Sequence, residues 1–246
     1  MFAQLASVAV ATASGLAVHG IFAPRSRFWG PLIWRGDSSG PPRVALTFDD
    51  GPHPEATPRV LDQLANADAR ATFFLVGAHA EKWPRIVRRI VDEGHLIGNH
   101  SFAHRIAGSV SFTGYWQDSI LRTGRLLEEI SGRRPLWFRP PFAVKQWHLC
   151  QAVALTQQTM ITFSRRALDG RPTTAARIVA RLAPRAAAGD ILALHDGVVD
   201  GMPRPIEPTL AALPQVLETL RGRGLRVAPL DQLISAPPYA PARPSS

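Results

Sequence analysis

The sequence predicts an α/β chain: a parallel sheet of about seven strands, each followed by a helix, curled into an irregular TIM-like (β/α)7 barrel. Three observations lead there. Short apolar runs alternate with helical stripes from Arg43 to Val227, the pattern of repeated strand–helix units. Neither GxGxxG nor GxxxxGK[ST] occurs, so an open nucleotide-binding sheet has no support. The length, 246 residues, suits one large domain, and 46% hydrophobic with 19% charged residues is ordinary globular composition.

The elements follow in order. Residues 2–23 contain no Asp, Glu, Lys or Arg and are rich in Ala, Val and Leu. A bilayer needs about 20 apolar residues, so 1–24 reads as an apolar helix able to anchor the chain to a membrane or lie on its surface, with a packed amphipathic helix as the competing reading. Arg25, Arg27 and Arg35 follow it, and the positive-inside rule then favours a cytoplasmic domain at the cell envelope. Residues 25–42 read as a linker, with Ser, Gly and Pro dense in RGDSSGPP. The main domain spans 43–235. Strands are expected at 43–48, 71–76, 95–98, 136–138, 160–163, 190–194 and 225–227. Helices are expected after Thr57 as cap, around Ile86–Val91, from Trp116 to Ile130, after Thr173 or Thr174, and along Leu210–Leu220. Residues 236–246, rich in Pro, Ala and Ser, read as a disordered tail.

Charge and cysteine narrow the function classes. Lys and Arg total 28 against 19 Asp and Glu, a formal charge of +9. Lys82 and Lys145 are the only lysines. The basic residues are scattered rather than gathered in a block or an aromatic stripe, so net charge alone argues weakly and nucleic acid is not the expected partner. Cys150 stands alone, which excludes an intrachain disulfide and a cysteine-rich metal cluster.

In a barrel of this kind the chemistry sits at the carboxyl ends of the strands. After the first strand comes Thr47-Phe48-Asp49-Asp50-Gly51-Pro52. Adjacent carboxylates repel unless a cation offsets them, so the pair suits a metal site, or equally an Asx turn and helix cap. His100 and His104 follow the third strand. At i and i+4 they share a face if the segment is helical, a spacing that suits one metal ion; two unrelated loop histidines is the alternative. Two His and one Asp would leave a metal open to water and substrate. Arg139-Pro140-Pro141-Phe142 is a rigid, extended piece that can hold a guanidinium against a carboxylate through two parallel bonds. His195, emerging from a buried strand, suits a general acid.

With these residues in view, the sequence resembles the polysaccharide deacetylases, the NodB-homology domain of carbohydrate esterase family 4. The landmarks occur in order: TFDDG at 47–51, HSFAH at 100–104, RPPF at 139–142, LD at 168–169 and LALH at 192–195. The resemblance covers about Arg43 to Leu233 and implies an irregular (β/α)7 barrel. It implies that Asp50, His100 and His104 hold the metal and that Asp49 is the general base, oriented by Arg139. It implies that His195 is the general acid, tuned by Asp169. Pro141 and Phe142 would lie at the substrate, with a backbone N–H near Phe142 binding the oxyanion, and Leu192 and Leu194 would line the acetyl pocket. Phe142 stands where the family usually has Tyr, Ala143 where it has Gly, Arg166 where an acid is common and Gly170 where Trp is common. These departures alter one wall of the groove, not the catalytic side chains.

The expected activity is metal-dependent removal of N-acetyl, or a related N-acyl group, from an amino sugar in a polysaccharide or a glycolipid. Zinc is the metal expected, with Co²⁺, Ni²⁺ and Fe²⁺ also suited to these ligands. His53, beside the TFDDGP turn, is a candidate for the substrate mouth or a plain loop residue. A catalytically silent carbohydrate-binding or membrane-associated module on the same fold is the alternative reading.

Overall fold

The structure, a computed structural model, describes residues 19–105, 111–199 and 205–241. Its strands are β1 (Arg43–Asp49), β2 (Thr72–Leu75), β3 (Leu96–Asn99), β4 (Trp137–Phe138), β5 (Thr159–Met160), β6 (Arg165–Arg166), β7 (Ile191–His195) and β8 (Arg226–Val227). The helices are α1 (Ala56–Asn66), α2 (Gly77–Lys82), α3 (Pro84–Asp92), α4 (Thr113–Ser131), α5 (Trp147–Leu155), α6 (Ala175–Leu182) and α7 (Glu207–Gly222). All ladders are parallel, in the order β5-β4-β3-β2-β1-β7-β6, with β8 beside the start of β1. Among the described residues no ladder joins β5 to β6, so the sheet is a curled, incompletely closed barrel. Ile33 lies along the open edge, bridging Ile161 in parallel.

Alternation along the strands separates two apolar layers. Val44, Leu46 and Phe48 point outward with Leu192 and Leu194 and pack under the helices with Val60, Leu61, Leu64, Leu213 and Leu220. Ala45 points inward with Ile191, Ala193, Phe74, Ile161 and Phe163 and fills the barrel. The inward series of β1 therefore continues through Thr47 to Asp49 at the carboxyl end. A third cluster joins α4 and α5 to the sheet through Trp116, Ile120, Phe138, Leu149 and Val153.

Several expectations need correction. Thr57 lies inside α1, not at its cap. Its hydroxyl instead accepts from the His53 N–H and donates to Asp196. Residues 236–241 are not a loose tail: the Ile97 N–H donates to the Tyr239 hydroxyl at 2.9 Å, and Ala240 N–H donates to the Arg134 carbonyl. The stretch read as a linker is likewise tied down through its side chains. Arg25 donates to the Ser164 carbonyl at 2.7 Å, and Arg35 donates to that of Ala188 at 3.0 Å, beside Asp190. Thr174, as expected, caps α6 by accepting from Arg177 N–H. Strand β6 and helices α2 and α5 escaped the sequence reading, because β6 is a bare Arg-Arg pair, α2 is barely a turn and a half, and α5 carries no clean polar face. Most of the apolar segment 2–23 lies outside the described residues. No described helix is long and apolar enough to cross a membrane.

Candidate active site

Strand register decides who meets whom. Asp49 at the end of β1 is the direct neighbour of His195 at the end of β7 and of Phe74 in β2. Asn99 ends β3 next to Leu75, so the chain beyond it emerges at the same rim. Together these ends bound a cavity of about 250 Å³ lined by Asp49, Asp50, His100, His104, Phe142 and His195, and also by Arg166, Gly170 and Arg171.

Asp50 turns out of β1 with φ of 73°. Its Oδ1 lies 3.4 Å from His100 Nε2 and 3.2 Å from His104 Nε2, yet it is buried without a hydrogen-bond partner among the described residues. The three side chains can each offer a ligand atom within 4.8 Å of the others. His100 is oriented by its Nδ1, which sits 2.7 Å from the Arg139 carbonyl and so directs Nε2 at the cluster. Burial, joined by His100, pushes His104 down to about 4 against the opposing pull of Asp50, so it is a neutral imidazole at pH 7. Burial opposes ionisation of Asp50, but the surrounding histidines outweigh it and hold the carboxyl below its usual range. A carboxylate with an orphaned oxygen and two imidazole nitrogens turned towards it fit a divalent cation. The i,i+4 histidine pair does meet, but not on a helix: residues 100–104 are irregular, with Ser101 at φ 67° and His104 at φ 47°, and this turn brings the rings to 4.7 Å.

Asp49 pairs with Arg139 through one contact, Nη1 to Oδ1 at 2.7 Å, rather than the two parallel bonds expected. The remaining donors of the fork are engaged elsewhere: Nη1 also reaches Thr47 Oγ1 at 2.7 Å, and Nη2 the Thr162 carbonyl at 3.0 Å. The guanidinium lies 4.0 Å from the Phe74 ring centre and is 1% exposed, so it is a fixed buried cation rather than a mobile clamp. On the other side His195 Nδ1 lies 2.7 Å from Asp169 Oδ1, while Asp169 Oδ2 accepts from His195 N–H and from the Thr209 hydroxyl. Burial lowers the His195 pKa, but Asp169 above all, with Asp50 and Asp49 adding, raises it to about 9. The imidazolium form and an Nε2 proton facing the cleft follow.

Phe142 adopts φ of 56° and its ring packs edge-on against His104 at 4.5 Å. The N–H groups of Ala143 and Val144 are taken by the carbonyls of Pro140 and Pro141. Pro141 itself is buried, and Pro140 rather than Pro141 lines the cleft. Leu192 and Leu194 do not reach the cavity. Their side chains point into the outer layer beneath the helices, and Ala193, one residue out of phase, is the inward lining residue. His53 does not line the mouth either: its Nδ1 accepts from the Glu55 and Ala56 N–H groups at 3.2 Å and so starts α1.

Residues the sequence reading passed over complete the site. Thr47 supports Arg139, and Thr209 supports Asp169. Asp196 is 1% exposed, its carboxyl raised to about 7 by burial, partly offset by the Thr57 hydroxyl and reinforced by Asp50 and Asp49. Gly51 and Gly197 let the β1 and β7 turns interlock, since a Cβ on Gly197 would stand 2.1 Å from the Asp50 carbonyl oxygen. Only the inward phase of β1 could have signalled Thr47; nothing local signals Thr209 or the burial of Asp196.

Residues 36–161 match the model of the polysaccharide deacetylase family. A peptidoglycan-N-acetylglucosamine deacetylase of Bacillus cereus is 32% identical over 220 residues, covering 83% of this chain and 75% of the relative. A chitooligosaccharide deacetylase of a Bradyrhizobium species is 31% identical over 205 residues, covering 80% and 93%. The crystal structure of a peptidoglycan N-acetylglucosamine deacetylase superposes with a TM-score of 0.77 at 28% identity, covering 85% of this chain and 95% of its own.

Proposed function

The chain belongs to the polysaccharide deacetylase family, and on that premise we propose that it hydrolyses the N-acetyl amide of an amino sugar, in a polysaccharide or a glycolipid, with Asp49 as base and His195 as acid. One observation carries this reading: the Asp49–Arg139 and His195–Asp169 pairs bring Asp49 and His195 side by side at the ends of β1 and β7, into a cleft that also holds Asp50, His100 and His104.

Asp50, His100 and His104 would hold the divalent metal, with zinc favoured by a donor set of two imidazoles and one carboxylate. When bound, such an ion supplies Lewis acidity that eases deprotonation of water and polarises an acyl oxygen. The protein residues do the rest. Arg139 holds the Asp49 carboxylate pointed into the cleft, where it accepts the proton of the attacking water. The Phe142 N–H, at the cleft wall, supports the oxyanion of the tetrahedral state. His195 Nε2 donates its proton to the departing amine while Asp169 keeps Nδ1 protonated and the ring in place.

The apolar sequence at 2–23 and the exposed Phe22, Phe28 and Trp147 support association with a membrane surface, where a lipid-linked sugar would be presented. A silent module is the less favoured reading, because the base, the acid and their orienting partners are all present and paired. The test is acetate release by the metal-reconstituted protein from chitooligosaccharides, peptidoglycan glycans and N-acetylhexosamine lipids. His195→Ala should lower kcat on the responsive substrate by roughly two to four orders of magnitude with metal content unchanged. Loss of the metal in that variant would make His195 a ligand and overturn its role as acid.

A further inference from the structure

Among the described residues the charges of the cleft are settled in pairs, two arginines excepted. Asp49 is paired with Arg139, Asp50 with two imidazoles, and His195 with Asp169. Arg166 and Arg171 line the same cavity, are both exposed, and have no ion-pair or hydrogen-bond partner among the described residues. Their neighbour in sequence shows the contrast. Arg165 donates to Asp190 at 2.8 Å and is neutralised there, whereas Arg166 is in register with the inward-facing Ala193 and turns to the cleft. Arg171 follows Gly170, which lies against the His195 ring: a Cβ there would make ordinary contact with Cε1 at 3.5 Å. Among the described residues, two unpaired arginines thus line the cavity that holds His195, on either side in sequence of the Gly170 that touches its ring.

We propose that Arg166 and Arg171 form an anion subsite beside the scissile amide, and that the preferred substrate carries a carboxylate or phosphate group on the acetamido sugar or on the residue next to it. Guanidinium recognises the planar oxyanion edge of either group through paired N–H donors. Both arginines line the same small cavity as His195, so the anion they bind belongs to the acetamido sugar or to its neighbour. The formal charge of +9 would add long-range attraction for such a substrate. This inference rests on the amide-hydrolase reading of the cleft and narrows it to anionic amino sugars.

The test compares three acetylated substrates of matched length on the metal-loaded full chain: a neutral chitooligosaccharide, a glycan containing N-acetylmuramic acid with its lactyl carboxylate, and an N-acetylglucosamine oligosaccharide bearing a phosphate. Acetate release gives KM and kcat, and calorimetry gives Kd for the same sugars and for inorganic phosphate alone. The expected result is a KM about tenfold lower for at least one anionic substrate than for the neutral one, with the advantage falling to about unity in the Arg166→Gln, Arg171→Gln double variant. The carboxylate and phosphate arms show which anion is read. Arg177→Gln, on the exposed surface of α6 and outside the cleft, controls for net charge and should keep the preference. An anionic preference that survives the double variant, or its absence in the wild type, overturns the proposal. Failure of hydrolysis on every substrate, with anionic sugars still binding tighter to the wild type than to the double variant, would overturn the hydrolase reading and leave the subsite standing.

Discussion

Replacing Asp169 with an asparagine should uncouple the acid from its support. The carboxylate touches His195 twice, through Nδ1 at 2.7 Å and the backbone N–H at 3.0 Å, and it is the leading influence that lifts the imidazole against its burial to about 9. The lift from the ordinary 6.5 corresponds to roughly 3 kcal/mol of preference for the charged ring. The sign follows from linkage: a raised folded pKa stabilises the protein below 6.5, and that contribution is lost as pH rises through 9. The substituted amide keeps the shape and removes the charge, so the pKa should fall by about two units or more and the stabilisation below pH 6.5 should shrink by most of that energy. The measurement is an NMR titration of the His195 ring in the metal-free protein, with urea midpoints at about pH 6 and about pH 9.5, on either side of the titration. In the metal-loaded protein, a cation on Asp50 cancels part of the lift, and the basic limb of kcat/KM should still move to lower pH in Asp169→Asn. A His195 pKa that stays near 9 in the variant would refute the assignment of Asp169 as the tuning group.

Other outcomes follow from the same geometry. Asp50→Ala and His104→Ala should each abolish tight metal binding, read by elemental analysis after dialysis, and lower turnover at least about a hundredfold; a variant with full metal content would remove its residue from the ligand set. Gly197→Ala places a methyl carbon 2.1 Å from the Asp50 carbonyl oxygen and 2.6 Å from the Gly51 nitrogen. Both are backbone atoms that cannot swing aside, so a loss of about 1–3 kcal/mol in urea unfolding is expected, with weakened metal binding; a neutral result would mean the two turns are not interlocked. Tyr239→Phe removes the acceptor of the buried Ile97 N–H and should cost about 1–2 kcal/mol in the same assay, whereas an unaltered midpoint would show that the C-terminal segment adds nothing to the fold.

The strand ends were legible because the chemistry is written locally. TFDDG, HSFAH, RPPF and LALH each follow an apolar run, and a parallel sheet brings all such ends to one rim. The facing of individual side chains was harder to read. The family resemblance placed Leu192 and Leu194 in the acetyl pocket, and a continuous apolar strand with both faces buried carries no polar alternation that would mark their phase. His53 carries the same imidazole as His100 and His104, but its place three residues before the start of α1 gives it backbone donors to cap instead. The tail from 236 looks disordered by composition, yet one aromatic, Tyr239, finds a buried backbone donor and an arginine to stack on.

By itself, then, the sequence determined the fold class, the order of most strands and helices, and the aspartates, histidines and arginine that gather at one rim. These depend on period, spacing and residue chemistry, which are local. Only the tertiary structure decided that Arg139 meets Asp49 through a single contact and shares its fork with Thr47, that Thr209 supports Asp169, and that Asp196 is sealed beneath the Asp50 turn against Thr57. It also left Arg166 facing the cleft while Arg165 turned to Asp190. Those pairings join residues up to 139 positions apart in the chain or turn on which side of a two-residue strand a side chain leaves. Strand register and barrel curvature set them, and neither is encoded in any one segment.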